Sequence, residues 1–335
     1  MNASGPTSAG KASPNGIQGV QPRDRTASVS KERKPAGRSV LCLGEALVDL
    51  ICERPLDELA AADAFVPAPG GATANVAVVA ARHGARVMLG GGAGDDSWGR
   101  WLRARLEREG VDLRFFALAP ETQTRLAFAL VDGAGEPRYE LYGADQRAVL
   151  NALSGRVEEA LKAASGLLLS TNVLVDPEER ELVLSVREQA LAAGLPIVFD
   201  PNLRLNRWRL RSQAQSFANA CVRDALLVRA TAAEAELMTG ESDPEQAARA
   251  LLKGGARMVV LTLGAGGALL RGELRADAPG VPAQVRSTIG AGDTLTGVLL
   301  ARLALSGWYP AAAAAALRDA VEASARATER WSALD

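Results

Sequence analysis

The chain has 335 residues, 48% of them hydrophobic, with 38 lysines and arginines against 39 acids and a net charge of −1. That much apolar material fills one large α/β domain or two ordinary ones. The near-neutral balance excludes an overall field that draws a protein to nucleic acid or to a membrane surface, so the expected partner is a small molecule.

Residues 1–38 are rich in Ser, Gly, Pro and basic side chains and nearly lack large apolar ones. Such a segment buries too little surface to offset its ordering entropy and is expected to be a disordered tail without the apolar core of a signal peptide. No later run reaches the roughly 18 uncharged apolar residues that span a bilayer. Cys42, Cys52 and Cys221 lack CxxC spacing and leave an odd thiol, which fits a reducing, cytoplasmic setting with each thiol packed as a small hydrophobe. The single histidine, His83, removes multi-histidine metal sites and reads as a packing or capping residue before Gly84.

From residue 39 to 335 short apolar runs alternate with helical patterns. Strand-like "SVLCLG", "RVMLGG", "GLLLST", "LPIVFD", "DALLVR" and "RMVVLTLG" are separated by "TANVAVVAARHG", "DSWGRWLRARLEREG", "DPEERELVLSVREQALAAG" and "DPEQAARALLKGG". Several of the latter open on Asp or Thr and close on Gly, as capped helices do. The pattern implies an α/β fold with a doubly wound, mostly parallel sheet, helices on both faces, and ligands at the carboxyl ends of the strands. One stretch, "LRFFALAPETQTRLAFALVDGAGEPRYELYGAD", has strand-type runs and no helix. A small antiparallel β lid is expected from about residues 50–69 and 113–143, shielding the strand ends from water.

Candidate chemistry gathers at the strand-to-helix junctions. Asp49 follows an apolar strand in "GEALVDL". Gly70 and Gly71 precede a helix with Asn75 in its first turn, while Gly91, Gly92 and Gly94 read as turn glycines. Thr262 and Gly264 end another strand. In "STIGAGDTLTG" two glycines lead into Asp293 as an apolar helix starts, with the N–H groups of Ala291 to Asp293 expected to face outward. A helix start of this kind binds anions, although Asp293 is equally the type of residue that caps a helix. The five tryptophans have no accompanying basic stripe and read as packing residues.

The order and spacing of these pieces resemble the ribokinase-like, or PfkB-type, carbohydrate kinases, closest in pattern to fructokinases and 2-keto-3-deoxygluconate kinases. "GGATANVAVVAARHGARVMLGGGAGDDSWGRWL" is similar to that family's N-terminal signature and "STIGAGDTLTGVLLARL" to its C-terminal one. The resemblance implies an enzyme that moves the γ-phosphate of ATP to a hydroxyl of a small sugar, with fructose the leading acceptor. A 2-keto-3-deoxygluconate kinase, a nucleoside kinase of the same fold and a catalytically weak sugar sensor are the alternatives. It also implies Asp293 as catalytic base, Gly290, Ala291 and Gly292 as anion hole, and Asp49, Gly70, Gly71, Asn75 and Arg204 as sugar contacts. Thr231, Thr262 and Gly264 match nucleotide contacts, Glu234 matches an acid that holds Mg2+ through water, and a homodimer through the β lid is implied. Three positions depart from the family pattern. Thr231 replaces the usual Asn, the arginine after Tyr142 is missing from "ELYGADQRA", and Ser287 replaces the acid that helps hold a monovalent cation (K+).

Overall fold

The computed structural model describes Met1 and residues 37–143 and 147–334. The chain divides into Met1–Ala36 and the body Gly37–Asp335. The reading of residues 1–38 as a tail therefore falls, but for Met1 and the last two positions, outside the described residues, as do Ala144, Asp145 and Gln146 of "ELYGADQRA".

In chain order the strands are β1 (Ser39–Leu43), β2 (Leu47–Pro55), β3 (Val66–Gly70), β4 (Val87–Gly94), β5 (Phe116–Ala119), β6 (Leu126–Val131), β7 (Pro137–Tyr142), β8 (Ala164–Leu169), β9 (Ile197–Phe199), β10 (Leu227–Thr231), β11 (Met258–Thr262), β12 (Ala268–Gly272) and β13 (Ala276–Ala278). The helices are α1 (Ala72–Arg82), α2 (Ser97–Arg108), α3 (Ala148–Leu153), α4 (Val157–Ala163), α5 (Pro177–Ala192), α6 (Arg211–Val222), α7 (Ala232–Thr239), α8 (Pro244–Lys253), α9 (Ala291–Leu305) and α10 (Pro310–Ala327). Their starts follow the sequence signals: Asp96 caps α2 by accepting from the Gly99 N–H at 2.8 Å. Asp176 and Asp243 cap α5 and α8, each followed by Pro at the first helical position. His83 is the C-cap of α1 and Gly84 follows it with φ +90°.

The main sheet runs β13-β12-β11-β10-β9-β8-β1-β4-β5. It is parallel from β11 to β5 and ends in the antiparallel pair β12 and β13. Strands such as β1 and β9 are buried along their whole length, which is why they read as unbroken apolar runs. One face is covered by α1, α2, α9 and α10 through residues such as Val76, Leu102, Leu299 and Leu317. The other is covered by α3 to α8, with Val149, Val186, Ala218 and Leu251 among the contacts. Burying one such Val or Leu side chain contributes roughly 1.5–3 kcal/mol. The strand order reverses between β1 and β8, so the carboxyl ends of those strands open a crevice.

The second sheet, β3-β2-β6-β7, is the expected lid. Its outer pairs are antiparallel, whereas β2 and β6 are parallel because each enters from the main sheet in the same direction. Two boundaries differ from expectation. The lid begins at Leu47 and runs to Gly70, and β5, although inside residues 113–143, pairs in parallel with β4 at the edge of the main sheet. The reason is α2, which makes β4-α2-β5 a crossover unit. Gly91, Gly92 and Gly94 are strand residues of β4, not turn residues. A Cβ on Gly91 would lie 2.1 Å from the Gly44 carbonyl oxygen, and one on Gly92 2.5 Å from that of Ala117.

Candidate active site

Helix α9 opens at the crevice. Its N-cap is Gly290, in the left-handed region with φ +75° and no side chain to cap with. Asp293 is therefore the third helical residue, and the capping reading of it fails. Ser287, fully buried, accepts the Ile289 N–H at 3.1 Å and shapes the approach. The Ala291 N–H turns back to Thr288 O at 3.2 Å and Thr294 donates to Gly290 O at 2.8 Å. Of the three outward N–H groups expected, two remain without an acceptor among the described residues, those of Gly292 and Asp293. They and the helix dipole make an anion site.

The Asp293 carboxylate accepts a hydrogen bond from Asn75 Nδ2 at 2.8 Å. Burial pushes its carboxyl up to about 6, against the Asn75 hydrogen bond and the positive charges of Arg204 and Arg229. The dipole at the helix start favours the ionised carboxylate, but desolvation outweighs it. A carboxylate with that value is matched to take a proton near neutral pH.

Asp49 on β2 is 5% exposed, and burial, with the Asp293 and Glu45 charges, pushes it up to about 7. Gly70 sits behind it: a Cβ there would lie 2.4 Å from the Asp49 carboxyl carbon, so the glycine makes room for the carboxylate and does not itself line the cavity. Gly71 does line it, with φ +96° and Glu45 O against the place of a Cβ. Asp49, Gly71, Asn75, Arg204, Thr231, Glu234, Thr262, Gly264 and Gly290 to Asp293 thus share one cavity of about 1510 Å³. Arg204 is exposed at its mouth, and its charge acts on both Asp49 and Asp293.

On the far side of the cavity, Thr231 caps α7. Its hydroxyl donates to Glu234 Oε2 at 3.0 Å while accepting the Glu234 N–H at 3.1 Å. Glu234 also accepts from the Thr231 N–H at 2.9 Å and, through Oε1, from the Leu203 N–H at 2.8 Å. No group of three His, Cys, Asp or Glu among the described residues forms a direct metal cage. The Glu234 carboxylate, with one lone-pair site left beyond these three bonds, fits Mg2+ held through water and substrate phosphates.

Residues missed by the sequence reading lie in the same place. Asn172 and Asn202 follow β8 and β9 and line the cavity, Asn202 at φ +43°. Arg229 lies beside Asp200 with Nη1 3.3 Å from Oδ2, and Arg207 pairs with Glu45 at 2.9 Å. For Asn172, Asp200 and Asn202 the usable signal was position, since they follow β8 and β9 at the carboxyl edge, whereas Arg229 lies in the middle of β10 and Arg207 well beyond β9. In sequence, "VRATAAE" and "STN" look like any strand end.

Fold and site together suit a phosphotransferase: a helix start with two free N–H groups and two buried carboxylates, Asp49 and Asp293, in one crevice. Residues 38–333 match the pfkB family carbohydrate kinases, and the chain belongs to that family. It is an enzyme that phosphorylates a sugar hydroxyl. It is 33% identical over 272 residues to "Fructokinase-1" of Oryza sativa subsp. japonica, covering 80% of this chain and 84% of that one. Fructokinase from Vibrio cholerae O395, solved with fructose, ADP and calcium, superposes with a TM-score of 0.78 at 27% identity, covering 90% and 96% of the two chains. Aminoimidazole riboside kinase from Salmonella enterica, solved with aminoimidazole riboside and an ATP analogue, gives a TM-score of 0.75 at 27% identity over 88% and 95%.

Proposed function

We propose that this chain transfers the γ-phosphate of ATP to a hydroxyl of fructose, with Asp293 as the base. The observation that carries the reading is Asp293 held by Asn75 in the wall of the cavity, at a helix start with two N–H groups free to bind an anion. Asp49, Gly71, Asn75 and Arg204 bind the sugar, and Gly70 positions Asp49. The acceptor hydroxyl oxygen attacks the γ-phosphorus as its proton passes to Asp293. The bond from phosphorus to the β–γ bridging oxygen breaks, and its electron pair leaves with ADP. The N–H groups of Gly292 and Asp293 take the charge on the phosphoryl oxygens, while Gly290 and Ala291 shape the turn that presents them.

Thr262 and Gly264 line the nucleotide side; Thr231 serves there by fixing Glu234. Glu234 would hold Mg2+ through water, and the bound ion neutralises charge on the β- and γ-phosphate oxygens. Fructose is favoured by the names of the rice and Vibrio relatives and by the "GEALVDL" pattern around Asp49. The Salmonella structure supports a nucleoside-type acceptor as the second reading. Ser287 offers only a hydroxyl that already accepts the Ile289 N–H, so we infer turnover without K+. Val66 and Tyr142, 45% and 50% exposed on the lid's edge strands, support a homodimer through the lid. Three free, buried cysteines fit a cytoplasmic protein.

The test is Mg2+-dependent ADP release with fructose, 2-keto-3-deoxygluconate, ribose, adenosine and aminoimidazole riboside. Highest kcat/KM with fructose is expected. Turnover of the riboside alone would replace the fructose reading, and sugar binding without any turnover would make the protein a sensor.

A further inference from the structure

Arg229 is the third residue of β10 and lies against the start of α9. It is 4% exposed, yet it lines the cavity. A Cβ built on Gly292 would fall 2.6 Å from its Nη2 and 2.7 Å from its Nη1. The guanidinium thus occupies the space that a side chain at Gly292 would need, next to one of the two free N–H groups.

Its hydrogen bonding is incomplete. Nη1 reaches Asp200 at 3.3 Å, longer than the roughly 2.7–2.9 Å of a close charge-assisted bond, and Nη2 reaches Thr262 Oγ1 at 3.2 Å. The buried Nε has no acceptor among the described residues. Asp200 is engaged elsewhere as well, accepting from Thr296 Oγ1 on α9 at 2.6 Å. A guanidinium has five N–H donors in a planar fork. Here that fork stands between Thr262 and Asp293, with donors left over on a wall of the cavity.

We propose that Arg229 is a catalytic residue, a fixed cation that contacts the phosphoryl group in transfer and completes an anion hole with the N–H groups of Gly292 and Asp293. The inference rests on the kinase reading above and adds a component to it. In a loose phosphoryl-transfer transition state, charge spreads over three equatorial oxygens, and a planar guanidinium matches two of them where a single N–H matches one. Asp200, tied to α9 through Thr296, sets the position of the guanidinium without saturating it.

A purely structural Arg229, present only to neutralise Asp200, would affect nucleotides with and without a γ-phosphate alike. The test therefore uses the full chain carrying Arg229→Met together with Asp200→Asn, so that no Asp200 carboxylate is left without its cation, and Asp200→Asn alone as reference. Thermal unfolding confirms that both fold. Binding of Mg2+ with ADP, and with a non-hydrolysable ATP analogue, is measured by calorimetry alongside steady-state kinetics. Relative to the reference, the double variant is expected to bind the ATP analogue about tenfold more weakly and ADP within about twofold. Its kcat is expected to fall on the order of a hundredfold with sugar KM within about threefold. Equal weakening of both nucleotides, or an unchanged kcat, overturns the role of Arg229 while leaving the kinase reading standing. Wild-type protein that binds neither nucleotide overturns the kinase reading itself.

Discussion

The side-chain amide of Asn75 donates to the carboxylate of Asp293 across 2.8 Å, joining residues 218 positions apart. The contact exists because α1 and α9 pack side by side at the crevice. Asn75 spends an amide N–H on the acid, and its own Oδ1, buried and without a partner among the described residues, is left as an acceptor. One residue thereby orients the Asp293 carboxylate and keeps an acceptor of its own beside it.

That bond lowers the Asp293 carboxyl against the rise caused by burial, which together leave it at about 6. The base works ionised, so kcat/KM is expected to be high above pH 6 and to fall as pH drops through that value. Asn75→Ala removes the lowering contribution, and the acid limb of its profile should move to higher pH as well as to lower rates. An acid limb that stays in place would show that Asn75 does not tune the base.

Asp293→Asn keeps the size of the side chain and removes the base. A loss in kcat of at least about a thousandfold is expected, with a much smaller change in sugar KM, because the proton is taken only on the way to the transition state. Steady-state kinetics with fructose and ATP checks it, and a mild loss would move the role of base elsewhere.

One turn further along both helices, Gly297 of α9 faces Val79 of α1. A Cβ there would lie 2.6 Å from Val79 Cβ and 3.0 Å from Val76 O. Gly297→Ala is expected to push the helices apart, lengthening the Asn75–Asp293 bond and costing on the order of 1–3 kcal/mol through overpacking. Activity should therefore fall more than a surface Gly→Ala change at Gly133, which has open space around it, would allow. Equal activity of the two variants would show that the helix separation does not govern the site.

Ser287 leads to a prediction about ions. With its hydroxyl accepting the Ile289 N–H and no carboxylate at that position, replacing K+ by tetramethylammonium is expected to change kcat by less than about twofold, since the position offers the ion no charged ligand. Initial rates at constant ionic strength measure this, and a loss of most activity without K+ would place the cation on other ligands.

Much of this was legible in sequence because it depends on local patterning. Continuous apolar strands, Asp caps and glycine stops gave the main sheet and its helices, and the glycines around Asp293 and Asn75 marked the crevice. What escaped depended on distance. Whether β5 joins the lid or the main sheet turns on which neighbour it pairs with, and its "FALA" run suits both. Arg229 and Asp200 meet only because β9 and β10 are adjacent, and nothing in "VRAT" tells a guanidinium under a helix start from one on a surface. The upward shift of Asp293 is not legible for the same reason: the helix dipole is visible in the chain, whereas the burial that outweighs it is not.

That burial also costs stability, which gives the last prediction. Asp49 has an ordinary carboxyl value of 3.8 when unfolded and about 7 when folded. Between those values the folded state keeps a proton that the unfolded chain has lost, so the site's contribution to stability falls as pH rises through that window and is lowest above it. Asp49→Asn removes the charge and should stabilise the ligand-free protein at pH 8 on the order of 2 kcal/mol, a rise of a few °C in Tm. The gain should shrink at pH 5, where the folded carboxyl is already protonated. Sugar affinity should fall in the same variant, because on the proposed reading the Asp49 carboxylate binds the sugar. Melting curves of wild type and variant at the two pH values decide it. A variant that gains as much at pH 5 as at pH 8 would show that the buried charge of Asp49 is not the source of the cost.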